Sequence, residues 1–176
     1  MPSVGIVLGS KNDLDEISGT KEVLDDMGVE YEVIVASAHR DPAKVKQYVE
    51  SAPSKGVEVL IGAAGGSAAL PGTLAAWSTI PVIGIPLTSS ELNGLDSLYS
   101  IAQMPPGVPV ACVAIGSWGA RNAAFLATQI LGLKYGVKIC YNYEPEILGT
   151  AGGLLFFFDK LKDDPFYVIY GDNYTE

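Results

Sequence analysis

An α/β domain built on an open parallel sheet is the fold this sequence predicts, and three observations carry it. Five short apolar runs rich in valine and isoleucine recur along the chain, at 4–8, 31–36, 57–64, 81–87 and 109–115. Several are apolar on both faces, the mark of strands covered on both sides of a parallel sheet. Segments of helical spacing separate the runs, and glycines cluster at the run ends, where tight turns belong. Such alternation places helices on both faces of the sheet.

The elements follow in order. Between the first two runs, 13–27 carries apolar side chains at Leu14, Ile17, Val23, Leu24 and Met27, with Gly28 placed as a C-cap. After the second run, Asp41-Pro42 reads as an N-cap followed by proline in the first helical turn, and Val45, Tyr48 and Val49 continue the helical spacing. A short helix is expected over 92–103. A more obvious one over 120–133 is nearly all small and apolar, and so packed on several sides. The tail from Gly136 departs from the alternation; its apolar stretch Leu154-Leu155-Phe156-Phe157-Phe158 is expected to pack on the core or on a neighbouring subunit. Residues 1–135 form the catalytic α/β domain in this reading, and 136–176 a C-terminal extension.

Charge and composition exclude several functions. The 176-residue chain carries a net charge of −9, and its 11 basic residues form no stripe, so a nucleic-acid partner is not expected. A small anion remains a candidate ligand, because helix N-termini and one well-placed arginine bind phosphate locally. Cys112 and Cys140 fit no metal-ligand spacing and read as inert thiols of a reducing compartment. No leader pattern and no apolar stretch of membrane-spanning length occurs, so a cytoplasmic protein without membrane contact is expected.

Ligands of open parallel sheets bind beyond the carboxyl ends of the strands, which directs attention to four loops. Gly9-Ser10-Lys11-Asn12-Asp13 offers a sharp turn, a hydroxyl and a helix cap. It suits a phosphate on the amides and a sugar hydroxyl on Asp13, but taken alone it reads better as a plain turn with an N-cap. Ser37-Ala38-His39-Arg40 brings a hydroxyl, an imidazole and a guanidinium to one strand end. Arg40 can hold a phosphate in a fork. His39, the only histidine, titrates near neutrality when unperturbed; in isolation it reads equally well as proton carrier or packing residue. Gly65-Gly66-Ser67-Ala68-Ala69-Leu70-Pro71-Gly72 leaves room for a flat ring, or else marks a close helix–strand crossing; the ligand platform is preferred. The long loop opening Ser89-Ser90-Glu91 reads as a pocket wall or a subunit contact.

Taken together, five motifs in order carry a resemblance over about residues 1–135. They are Gly-Ser-x-x-Asp at 9–13, Ser-Ala-His-Arg at 37–40, Gly-Gly-x-Ala-x-Leu-Pro-Gly at 65–72, Leu-Asn-Gly-Leu-Asp-Ser-Leu-Tyr-Ser-Ile-x-Gln-Met-Pro at 92–105, and Gly-Ala-x-Asn-Ala-Ala at 119–124. The chain resembles the PurE family, the phosphoribosylaminoimidazole carboxylase catalytic subunits that act as N5-carboxyaminoimidazole ribonucleotide mutases in purine synthesis. The resemblance implies a flavodoxin-like three-layer fold, a homo-octamer with active sites between subunits, a small ribonucleotide substrate, and no metal or organic cofactor. It implies that Ser10, Asp13, Ser37 and Arg40 hold the ribose phosphate, that His39 is the general acid/base, and that Gly65, Gly66, Ser67 and Leu70 line the ring and carbon dioxide pocket. The chain departs from the family at Ala69, where the bacterial mutases usually have histidine, and at Asn12, where serine is common. Three other functions are weighed beside the mutase: a carboxylase using free carbon dioxide, a nucleotide-binding or assembly protein without catalysis, and a carboxylase or decarboxylase acting on another small ring.

Overall fold

The computed structural model describes residues 2–132, which lie in the first of the chain's two compact units, Met1–Ile139. Expectations for the tail and for Cys140 lie outside the described residues.

Five strands, β1 (Val4–Leu8), β2 (Tyr31–Val35), β3 (Val59–Ala64), β4 (Val82–Pro86) and β5 (Ala111–Cys112), form one sheet in the order β2-β1-β3-β4-β5. Every pairing is parallel. This is the flavodoxin-like order, with its topological switch between β1 and β3. The helices are α1 (Ser18–Asp26), α2 (Pro42–Ser51), α3 (Leu70–Trp77), α4 (Leu95–Ala102) and α5 (Gly116–Ile130).

Side-chain alternation along the strands builds two cores. Val4, Ile6 and Leu8 of β1 with Val59, Ile61 and Ala63 of β3 pack under α1 and α5, against Ile17, Leu24, Ala123 and Ala127. Their neighbours Val7, Leu60 and Ala64 face the other way, against Val45 and Val49 of α2, Leu70 and Leu74 of α3, and Ile101 of α4. Ile6, Leu8, Leu60 and Ile61 are wholly buried, each contributing about 1.5–3 kcal/mol of transfer free energy. Thr20 fastens α1 to α5 by donating its hydroxyl to the Ala120 carbonyl at 2.8 Å.

The caps behave as the sequence suggests. The Asp41 carboxylate accepts from the Lys44 amide at 3.2 Å, and Gly28 ends α1 at φ +65° with its amide donating to Asp25. Beside shifts of one to three residues at other element ends, four features differ from expectation. The first helical segment splits into a 3₁₀ turn, Lys11–Leu14, and α1, because Asp13 spends its side chain on the Ser10 amide. α5 starts at Gly116, four residues before the expected 120. The fifth strand shrinks to two residues, since Pro109 lacks a donor and the pairing fades after the Val113 amide reaches the Gly84 carbonyl. α3 is an addition: Leu70-Pro71-Gly72 is its first turn, where the sequence presents a loop. α3 also lies close on the sheet, for a Cβ at Gly62 would stand 3.1 Å from the Pro71 Cα and 2.9 Å from Leu74. The third glycine-rich motif is therefore both a loop and a close helix–strand crossing.

Candidate active site

The carboxyl ends of β1, β2, β3 and β4 surround one cavity of about 290 Å³. From the first loop come Gly9, Ser10 and Asp13; from the second, Ser37, Ala38, His39 and Arg40. The third contributes Ala64, Gly65, Ser67, Ala69 and Leu70, and the fourth Ser89.

The first loop is held in place by its own backbone. The Gly9 amide donates to the Ala63 carbonyl at 3.3 Å, and the Ser10 amide to the Asp13 carboxylate at 2.8 Å. The Ser10 hydroxyl accepts from the Asn12 amide at 3.2 Å, completing a reciprocal cap. Asp13 is thereby buried, at 5% exposure. Burial is the main cause that pushes its carboxyl above the ordinary value of 3.8, and the Glu16 charge adds to it; the Ser10 amide and the Arg40 charge pull the other way.

That shift has a stability consequence. Between the ordinary and the raised value the native state holds more protons than the unfolded chain, so stability falls as pH rises through that window. At neutral pH the whole penalty is present. Asp13→Asn keeps an acceptor for the Ser10 amide and removes the charge. It is expected to match or exceed the wild-type melting temperature at pH 7, with the difference vanishing below about pH 4; thermal melts across pH check this.

The second loop is a turn closed by the Asp41 amide on the Ser37 carbonyl at 2.9 Å, with the Arg40 amide donating to the Ser37 hydroxyl at 3.2 Å. The Arg40 guanidinium donates through Nη2 to the Gly9 carbonyl at 2.8 Å, joining the ends of β1 and β2. One arm of the guanidinium is so occupied, and its other N–H groups remain for an anion. His39 is exposed at the rim and makes no hydrogen bond with any described residue.

In the third loop Gly65 lies directly beneath Ser89, and a methyl group there would overlap the Ser89 hydroxyl. Gly66 turns the chain at φ +62° and does not line the cavity, whereas its neighbours do. The fourth loop is fastened to the segment between the 3₁₀ turn and α1: the Thr88 amide and hydroxyl each donate to Glu16 at 3.1 Å.

Seven of the eight binding residues expected from sequence, and His39, thus meet in one cavity; Gly66 alone stands outside its lining. Sequence reasoning reaches Ser89 and Ala69 only as members of candidate loops and singles out neither of them, nor Gly9, Ala38 or Ala64, as a lining residue. The polar opening of the long fourth loop is the signal for Ser89, and the small side chain beside Leu70 the signal for Ala69.

The family model described as AIR carboxylase matches residues 3–139. The N5-carboxyaminoimidazole ribonucleotide mutase of Saccharolobus solfataricus is 54% identical over 135 residues, 77% of this chain and 84% of the relative. That of Pyrococcus abyssi is 55% identical over 135 residues, covering 77% and 76%. Among solved structures, PurE of Treponema denticola superposes with a TM-score of 0.67 at 30% identity, over 76% of this chain and 82% of that one. By the family model, by relatives more than half identical and by the superposed fold, the chain belongs to the AIR carboxylase family.

Proposed function

We infer that this protein is an N5-carboxyaminoimidazole ribonucleotide mutase, moving a carboxylate from the exocyclic nitrogen to ring carbon C4 in de novo purine biosynthesis. The observation that carries this reading is the meeting of Ser37, His39 and Arg40 with Gly65, Ser67 and Leu70 around one cavity at the switch point of the sheet.

In this reading Arg40, Ser10 and Ser37 hold the phosphate, and Asp13 takes a ribose hydroxyl. The ring lies over Gly65, Ser67 and Leu70, with Gly66 shaping the turn beside them. The C–N bond of the carbamate breaks, its electron pair goes to nitrogen, and carbon dioxide is released within the pocket. His39, protonated, gives a proton to that nitrogen. C4 of the electron-rich ring then attacks carbon dioxide, forming the new C–C bond. The C4 proton returns to His39, so the imidazole ends as it began. A shaped site with few competing waters favours recapture over escape. With no second imidazole at Ala69, one ring serves both transfers.

Relatives more than half identical are named mutases, which favours the carbamate over free carbon dioxide as carboxyl source. The test is to supply purified protein with either N5-carboxyaminoimidazole ribonucleotide, or aminoimidazole ribonucleotide and bicarbonate. Turnover of the carbamate to the 4-carboxylated product is expected; turnover of the second mixture alone overturns the mutase.

The assembly proposed is a homo-octamer in the cytoplasm. Exposed Trp118, Leu92 and Tyr99, at 79%, 61% and 60%, support association. Among the described residues no helix is long and apolar enough to cross a membrane.

A further inference from the structure

We propose that Ser89 donates its hydroxyl to the migrating carboxylate and holds it at the ring end of the cavity. The proposal rests on the mutase reading and adds a substrate-binding residue to it.

Ser89 is the fourth loop's contribution to the cavity lining, and its hydroxyl has no hydrogen-bond partner among the described residues. Its neighbours are all engaged. Thr88 donates to Glu16, and the Ser90 hydroxyl donates to the Asp96 carboxylate at 2.9 Å. Wholly buried Ser97 donates to both the Leu87 and Gly94 carbonyls, at 2.8 and 2.9 Å. The frame around Ser89 is thus tied down on both sides, while the Ser89 hydroxyl, exposed at the cavity, is free to meet a ligand there.

Its position says what that is. The sheet order sets the ends of β2 and β1 on one side of the cavity and those of β3 and β4 on the other. Arg40, bonded to Gly9, belongs to the first side. Ser89, seated on Gly65, belongs to the second. A ligand with its phosphate on Arg40 and its ring on the third loop carries its carboxylate towards Ser89.

The chemistry fits a neutral donor. Among the described residues Arg40 is the only lysine or arginine lining the cavity, so these residues offer the second anionic group of the substrate no permanent cation. A cation there would bind the ground-state carboxylate and hinder its conversion to uncharged carbon dioxide. One neutral hydroxyl orients the group at a smaller penalty, because its bond to a carboxylate is weaker than that of a cation. Gly65 keeps the place open, since any side chain there would take the space of the hydroxyl.

The experiment measures binding of two ribonucleotides to wild type and Ser89→Ala: the 4-carboxylated product and the same aminoimidazole ribonucleotide without its carboxylate. Roughly tenfold weaker binding of the carboxylated ligand is expected, with the unsubstituted one unchanged and the melting temperature kept. Equal losses for both ligands, or no loss for either, overturn the proposal. Wild type that binds both ligands yet converts no carbamate overturns the mutase reading, and Ser89 is still decided by the ligand difference. Wild type that binds neither overturns both.

Discussion

Replacing His39 by asparagine is expected to lower kcat for carboxylate migration by about two to four orders of magnitude, the usual contribution of a positioned proton carrier. KM and melting temperature should barely move. The reason lies in what His39 does not do: it is exposed and hydrogen-bonded to none of the described residues, so the fold depends little on it. Asparagine preserves polarity and approximate size but cannot take a proton at neutral pH. Steady-state kinetics with the carbamate, alongside nucleotide binding, check this. A variant that binds ribonucleotide like the wild type but keeps full kcat would remove His39 from the chemistry, and wild type that also fails to turn over would favour a binding protein.

Arg40→Lys is the second large effect. Lysine keeps the charge but is a single point donor, whereas arginine serves the Gly9 carbonyl with one arm and keeps further N–H groups for phosphate. Loss of one charge-assisted bond is worth about 1.5–3 kcal/mol, so KM should rise roughly 10- to 100-fold, with kcat within a few-fold of wild type. A nucleoside lacking the phosphate should be bound equally by both proteins. If the nucleoside loses as much as the nucleotide, Arg40 acts on the loop and not on the anion.

Much of this was legible in the sequence. The Val- and Ile-rich runs located all five strands, because a strand buried on both faces leaves a short unbroken apolar run, shorter than a helix of ordinary length. Asp41-Pro42 and Gly28 marked their helix boundaries because each residue type supplies a specific bond or dihedral there. α3 was not legible. Leu70, Pro71, Gly72, Leu74, Ala75 and Ala76 are apolar on nearly every side, so no amphipathic stripe forms, and the glycines before them read as loop. The short β5 went wrong for a related cause: apolarity persists through Val113 and Ile115, but pairing depends on an edge strand's donors. In the site, Ser10, Asp13, Ser37, His39 and Arg40 are legible from side-chain chemistry and motif, whereas Ala69 and Ser89 are legible only as members of their loops, since which loop residue lines the cavity depends on where the neighbouring loops come to lie.

The bond between the Arg40 side chain and the Gly9 carbonyl bears on how this rim can diverge. Its acceptor is a main-chain atom, as is one of the donors, the Thr88 amide, that meets Glu16. Main-chain partners are supplied by any residue type the local conformation admits, so Gly9 and Thr88 are free to drift without loosening these two ties. The side-chain ends, Arg40 and Glu16, have no such latitude. For Arg40 the constraint is doubled, because in the proposed complex the same guanidinium fastens the loops and grips the anion. A descendant that exchanged phosphate for another ligand would inherit an arginine it could not discard without rebuilding the seam between β1 and β2.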